Sequence, residues 1–345
     1  MTAAALHGVV LAPFTTFRVG GPAGRLIEAA TATEISEAVR ECDRMGEPLL
    51  LLAGGSNLLI ADDGFAGTVL RLTGRGVRVE RTDHAARVLV VAGEPWDEVV
   101  EWAVAEGLAG IEALSGIPGS TGATPIQNVG AYGQEVSEVI TAVHCWDRLL
   151  GASYSLTPDH CAFTYRDSLF KRTSRFVVTS VELSLTAGGL GRPVRYAELA
   201  RALGVQIGDR VPVGAVRDTV LALRQAKGMV LDATDYDTWS AGSFFTNPVL
   251  DPQLADALPV DAPRYDAPGG RVKTSAAWLI ERSGFGKGYG SGAARLSTKH
   301  TLALTNRGTA TAADLIGLAR EIRAGVQAGF GIRLEPEPML VGLSL

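Results

Sequence analysis

Phosphate-binding signatures are missing from this chain. Neither GxGxxG nor GxxxxGK[ST] occurs, since GFGKGYG (284–290) has the wrong spacing and no hydroxyl residue after its lysine, so a Rossmann or P-loop site is unsupported. GxSxG is also missing, which removes the usual signal of acyl-transfer chemistry. The three cysteines, Cys42, Cys145 and Cys161, are odd in number and widely spaced. They fit neither a disulfide framework nor a CxxC pair and imply a reducing compartment. His7, His84, His144, His160 and His300 include no pair at helical ligand spacing and sit near no carboxylate cluster, so no catalytic metal is expected. The net charge of −5 is spread without blocks of one sign, which argues against nucleic acid or a membrane surface as partner. The longest apolar stretch, PLLLLAGGSNLLIA (48–61), is interrupted and too short for a bilayer, and MTAAALHGVVLAPF lacks a basic n-region. A cytoplasmic protein working on a small molecule is expected.

What the chain does have is ordinary globular material: 345 residues, 46% hydrophobic and 20% charged, enough for two or three domains. Glycine is the outlier, with 41 residues gathered at 54–55, 107–133 and 284–292. Such clusters mark sharp turns or places where backbone approaches a ligand closely.

Residues 31–46 read as an amphipathic helix, with Thr31 and Glu34 as a capping box, Ile35, Ala38, Val39 and Cys42 on the apolar face, and Gly46 as terminator. Pro48 opens a buried strand. A second helix starts at Pro95 with acidic residues in its first turn, turns Trp96, Val99, Val100 and Ala103 inward, and stops at Gly107. VITAVHCW and RFVVTSVELSL have strand composition, and 213–226 is helical. Residues 228–273 read as loops or a domain boundary. A helix at 274–283, a strand HTLALTN and a long helix from Thr311 to about 328 follow. The irregular alternation predicts an α+β fold.

AGGSNLLI (53–60) sets a Gly-Gly-Ser-Asn turn between two apolar strands, either a plain β-turn or an anion-binding nest. The stretch 113–135 is too long for an idle connector. Gly116, Gly119 and Gly122 recur every third residue with Ser115, Ser120 and Thr121 between them, which supplies donors suited to a pyrophosphate, with Gln127, Asn128 and Tyr132 beyond. Arg166, Ser243, Glu335 and Glu337 are polar groups in apolar settings. Singly, Arg166 beside Asp167 also reads as a surface ion pair, Ser243 as a turn residue, and the glutamates as the wet face of an edge strand.

Taken in order, TTFRVGGPA (15–23), GGSNLL (54–59), IPGSTGATPIQNVGAYG (117–133), YRDSLFK (165–171), GSFFTNP (242–248), KTSAAWLIERSG (273–284) and LEPEP (334–338) closely resemble the UDP-N-acetylenolpyruvoylglucosamine reductase (MurB) family, nearly end to end. The resemblance implies an α+β chain whose FAD-binding domain is of the vanillyl-alcohol-oxidase (PCMH) type. One FAD subdomain would comprise 1–68 with 328–345, the second 69–227, and a C-terminal α+β substrate-binding domain 228–327. It implies that FAD is held by Gly54, Gly55, Ser56 and Asn57 together with Ser115, Gly116, Ile117, Pro118, Gly119, Ser120, Gly122, Ala123, Gln127, Asn128 and Gly130. NADPH would be co-substrate, reducing the flavin and giving way to the enolpyruvyl nucleotide.

Hydride addition at C3 of the enolpyruvyl group throws charge onto C2 and its carboxylate. The roles implied are Arg166 and a protonated Glu337 stabilising that enolate and Ser243 giving the proton to C2. Glu335 is the competing glutamate. The type of the family with a tyrosine loop is implied by RPVRYAELARALG, with Tyr196 as lid tyrosine or, alternatively, an ordinary tyrosine at a helix start. Tyr132, Asn247, Tyr265 and Lys273 match contacts to the UDP-sugar. Arg224 and Lys227 suit its diphosphate by charge, although RQAKGMVLDATDYDTWSAGS departs from the family's proline-containing stretch. The expected product is UDP-N-acetylmuramate for peptidoglycan synthesis, with a monomer acting alone. Two other readings remain open, a flavin oxidase or dehydrogenase of the same fold with another substrate, and a nucleotide-sugar binding protein without catalysis.

Overall fold

The computed structural model describes residues Ala5–Leu345, which divide into two compact units. The first comprises the described residues up to Val9, Ala23–Gly54 and Ala66–Gln225; the second comprises Val10–Pro22, Gly55–Phe65 and Ala226–Leu345. Mixed sheets and helices in both give the expected α+β class.

Two sheets build the first unit. The smaller runs in the order Ala5–His7, Ala23–Ala29, Phe65–Leu72, Leu49–Leu52, with the last two parallel. The larger is antiparallel throughout, in the order Ala152–Leu156, Ile140–Asp147, Phe176–Thr186, Ala85–Val91, Val77–Arg81. Helix Ala32–Met45 forms as its spacing predicts: Thr31 accepts from the Glu34 amide, Glu34 answers the Thr31 amide, and Gly46 closes it at φ 64°. Its face of Ile35, Ala38, Val39 and Cys42 packs on Ile27, Ala29 and Leu70 of the smaller sheet and on Trp146 and Val177 of the larger. Each of the isoleucines, leucines and valines taken from water contributes about 1.5–3 kcal/mol. Helix Trp96–Ala105 buries Trp96, Val99, Val100 and Ala103 against Val88, Val90, Val143 and Val181.

Helix Ala312–Phe330 is the hub of the second unit, with Leu315, Ile316, Ala319, Ile322 and Val326 buried. Helix Ala276–Arg282 and the hairpin Ala294–Leu296/Leu304–Asn306 pack into the same core. Thr311 caps the long helix, and the Asp62 carboxylate also accepts from the Ala312 and Ala313 amides at 2.8 and 3.0 Å. Both devices satisfy amides that have no partner within the helix. Leu58–Ile60 pairs in parallel with Met339–Val341. A small sheet runs Val249–Leu250, Arg271–Lys273, Tyr265–Ala267.

The strand expected over HTLALTN is shorter, Leu304–Asn306. The reason is local: Ser297 Oγ accepts from the Lys299 and His300 amides, and the Ala303 amide bonds to the His300 carbonyl, so 297–303 is a tight turn.

Candidate active site

The glycine-rich stretch of the first unit is a folded cradle with short 3-10 turns at Glu112–Leu114 and Thr121–Ala123. Most donors that the spacing offers are already engaged. The Gly116 amide donates to Asp97 Oδ1 at 2.6 Å, the Gly122 amide to the Ala92 carbonyl, and Thr121 donates to the Glu94 carbonyl through both its amide and its hydroxyl. Ser115 Oγ donates to the Glu112 carbonyl at 2.7 Å. Ser120 Oγ is buried with no hydrogen-bond partner, which leaves one hydroxyl for a ligand. The glycines instead permit close approach. A Cβ on Gly54 would lie 2.5 Å from Gly119 Cα, and one on Gly122 would lie 2.5 Å from Ala92 Cβ. Ile117 and Pro118 are half-buried between these points, and the neighbouring Ala123 is exposed.

Fully buried Glu112 fastens the start of the cradle, accepting from the amides of Gly110 and Arg192 and from Gln134 Nε2 at 2.5, 2.6 and 2.9 Å.

Asn128, Gly130, Tyr132 and Arg166 are brought together at one corner of this unit. Arg166 donates to the Gly130 carbonyl at 2.5 Å and to the Asn128 carbonyl at 3.4 Å. Asn128 spends its own amide on Glu135 and on the Thr164 carbonyl, at 2.8 and 3.1 Å. All three non-glycine residues have positive φ, 46° at Asn128, 48° at Tyr132 and 54° at Arg166. Side chains rarely adopt this conformation, and its concentration at one corner points to function. Gln127 is the half-buried neighbour of Asn128. Asp167, which the alternative reading paired with Arg166, pairs with Arg172 at 3.2 Å.

Tyr196 is the N-cap residue of helix Ala197–Leu203 and packs edge-on against Tyr132, ring centroids 5.6 Å apart. Helix Val213–Ala226 buries Arg217 and Arg224. Arg217 grips Asp97 with both terminal nitrogens, at 2.7 and 3.1 Å, so one carboxylate joins the cradle to this helix. Burial pushes the Arg224 guanidinium down to about 10, against the opposing pull of Tyr132 and Asp97, which leaves it cationic at neutral pH.

In the second unit Ser243 and Glu337 belong to one stitched segment. The Glu337 amide donates to the Phe244 carbonyl, the Thr246 amide to the Glu335 carbonyl, and the Phe244 amide to the Leu302 carbonyl. Phe244 and Phe245 are fully buried and anchor the half-buried Ser243. Asn57 donates to the Glu337 carbonyl at 3.4 Å and accepts from the Met339 amide at 2.9 Å, which ties the GGSN turn to the same segment. Glu335 is exposed beside Arg333. In the same turn, a Cβ on Gly55 would lie 1.9 Å from the Phe14 carbonyl, and half-buried Ser56 takes the Thr16 hydroxyl on its carbonyl at 3.5 Å.

Tyr265 and Lys273 face each other in the small sheet, while Asn247 Oδ1 accepts from the Ala276 amide at 2.9 Å. Lys227 is half-buried one turn beyond Arg224. Glu112 and Arg217 carry no local sequence signal and Asp97 reads only as a first-turn acid, because most of their partners lie 19 to 120 residues away.

A mixed α+β chain with a glycine cradle that leaves a buried hydroxyl free has the features of a protein that holds a phosphate-bearing ligand. Consistent with this, residues 23–150 match the model of a FAD binding domain, and residues 234–341 match that of the UDP-N-acetylenolpyruvoylglucosamine reductase C-terminal domain. The UDP-N-acetylenolpyruvoylglucosamine reductase of Streptomyces avermitilis is 58% identical, over 99% of this chain and 96% of its own. That of Thermobifida fusca is 54% identical over 100% of both. The crystal structure of the reductase (MurB) from Thermus caldophilus covers 99% of each chain with a TM-score of 0.66 at 26% identity. The chain belongs to the UDP-N-acetylenolpyruvoylglucosamine reductase family.

Proposed function

We propose that this chain reduces the enolpyruvyl double bond of UDP-N-acetylenolpyruvoylglucosamine with electrons from NADPH, making UDP-N-acetylmuramate for peptidoglycan precursors and so serving cell shape and division. The observation that carries the reading is identity above half with reductases of that name along the whole chain. Bound FAD supplies a hydride acceptor for NADPH and a hydride donor for C3 of the substrate. The cradle suits that group: Ser120 Oγ is buried and unpartnered, and Gly54 and Gly119 hold their backbones too close for side chains. Gly54 to Asn57, Ser115 to Ser120, Gly122, Ala123, Gln127, Asn128 and Gly130 are assigned to holding it.

Hydride arrival at C3 leaves an enolate on C2 and its carboxylate. Arg166 supplies fixed positive charge, its fork oriented by the Gly130 carbonyl. Glu337 acts as a neutral acid, because an ionised carboxylate would repel the enolate. Ser243 Oγ gives its proton to C2. Tyr132, Asn247, Tyr265 and Lys273 are assigned to the UDP-sugar, Arg224 and Lys227 to its diphosphate, and Tyr196 to a lid. Residues 228–327 are the substrate domain in this reading. The protein works as a cytoplasmic monomer without nucleic acid; among the described residues no helix is long and apolar enough to cross a membrane.

The purified protein should be yellow, NADPH should bleach it without oxygen, and the enolpyruvyl nucleotide should restore the colour. A colourless preparation that binds no FAD would sink the reading.

A further inference from the structure

The segment that leads into Ser243 is held by a charge cluster that no role above uses. Asp237 is buried, and its carboxylate accepts from the Thr298 amide at 2.9 Å, the Thr298 hydroxyl at 2.5 Å and Arg307 Nη1 at 2.8 Å. Thr298 lies in the turn of the hairpin Ala294–Leu296/Leu304–Asn306, and Arg307 directly follows its second strand. One carboxylate therefore fixes 235–239 to both ends of the hairpin. Two backbone bonds complete the clamp, from the Asn306 amide to the Trp239 carbonyl at 3.0 Å and from the Phe244 amide to the Leu302 carbonyl at 2.8 Å. Only Ser240, Ala241, Gly242 and Ser243 lie between those two bonds.

We propose that Asp237, through Arg307 and Thr298, is the positioning residue that holds Ser243 for proton delivery to C2 of the enolpyruvyl group. The inference rests on the reading of Ser243 given above. A buried ion pair is poor value as mere stabilisation, because desolvation offsets much of the attraction. Three donors on one carboxylate fix geometry instead, and a displacement of about 1 Å at a reacting group costs about 100-fold in rate. Burial alone would raise the Asp237 carboxyl, but the Thr298 hydroxyl and amide, the Ser297 side chain and the charge of Arg307 together hold it below the usual carboxylate range.

The test uses FAD-loaded D237N and R307Q in anaerobic stopped flow. The rate of flavin bleaching by NADPH should stay within about twofold of the parent, and reoxidation by the enolpyruvyl nucleotide should slow about 10- to 100-fold in both variants. Equal slowing of the two half-reactions, or none, overturns the proposal. So does failure of both variants to yield soluble yellow protein, which would assign the pair to folding alone. S243A is run beside them. If S243A shows no difference between half-reactions, the proton-donor reading of Ser243 is what fails; if it does and neither variant follows it, the positioning role fails.

Discussion

The amide of Glu337 donates to the carbonyl of Phe244 at 2.8 Å, so the glutamate is bonded through its backbone to the residue next to Ser243. Glu335, two residues earlier, is exposed beside Arg333. The two glutamates of LEPEP therefore differ in what substitution does. E337A should lower kcat about 100-fold or more, E337Q should keep at least about tenfold more activity than E337A because it retains a neutral donor, and E335Q should stay within about twofold of the parent. Steady-state turnover with NADPH and the enolpyruvyl nucleotide checks this, and an E335Q slower than E337Q would contradict the assignment.

Ser243→Ala removes one hydroxyl between two anchored backbone bonds and leaves the buried Phe244 and Phe245 in place. Its expected cost is confined to product formation, about 100- to 10,000-fold for a lost general acid, with flavin bleaching by NADPH nearly unchanged. Single-turnover absorbance of the two half-reactions decides the matter.

The cradle is expected to depend on Asp97 and Gly54. D97A strips the Gly116 amide and Arg217 of their acceptor, and hydrogen bonds to charged groups contribute about 1.5–3 kcal/mol each, reduced here because Asp97 is partly exposed. G54A must push two backbones apart from a 2.5 Å contact. Both variants should release FAD more readily, and flavin fluorescence on dilution reports it. Unaltered FAD retention in both would show that the cradle does not hold the cofactor.

Cys42, Cys145 and Cys161 are all buried, and burial pushes the Cys145 thiol up to about 11 and Cys161 up to about 12. At pH 8 none should react with a disulfide reagent on the timescale of minutes until denaturant is added, since all three are shielded from the reagent and Cys145 and Cys161 are also held as thiols. A fast-reacting thiol in the native protein would contradict the packing.

Asp147 is held below the usual carboxylate range by hydrogen bonds from Arg175, at 2.9 and 2.6 Å, with burial opposing and the Leu149 and Leu150 amides assisting. Its folded value is depressed, so the stabilisation is present above the unfolded value of about 3.9 and is lost as pH falls through the folded one. D147N should therefore lower Tm at neutral pH and flatten the acid limb of a Tm–pH curve below pH about 4. Parallel curves for parent and variant across that limb would be the contrary result.

Elements set by near neighbours were legible in the sequence. The Thr31–Glu34 box and Gly46 lie within one helix and appear where spacing puts them. Asp97 was legible only as a first-turn acid, because its partners stand 19 and 120 residues away at Gly116 and Arg217. Asp237 was silent for the same reason, its donors lying 61 and 70 residues on. Arg166 and Asp167 are adjacent, yet Arg166, at φ 54° in a tight turn closed by Thr164 and Asp167, donates to the Gly130 carbonyl 36 residues back, while Asp167 pairs with Arg172. The residues of the candidate site are proposed from the order of the motifs; the contacts that support them are products of the fold.

The pairing of Leu58–Ile60 with Met339–Val341, and the hold of Asp62 on the amides of Ala312 and Ala313, set a timetable for biosynthesis. Chains fold as they emerge, N-terminal parts first. Leu58–Ile60 and Asp62 must wait through the synthesis of more than two hundred other residues before these strand and helix partners exist. In that interval Leu58–Ile60 has no strand to pair with, and an unpaired edge favours aggregation. A ribosome stalled before residue 339 would thus carry a chain whose second unit lacks a strand partner, however completely the first has formed.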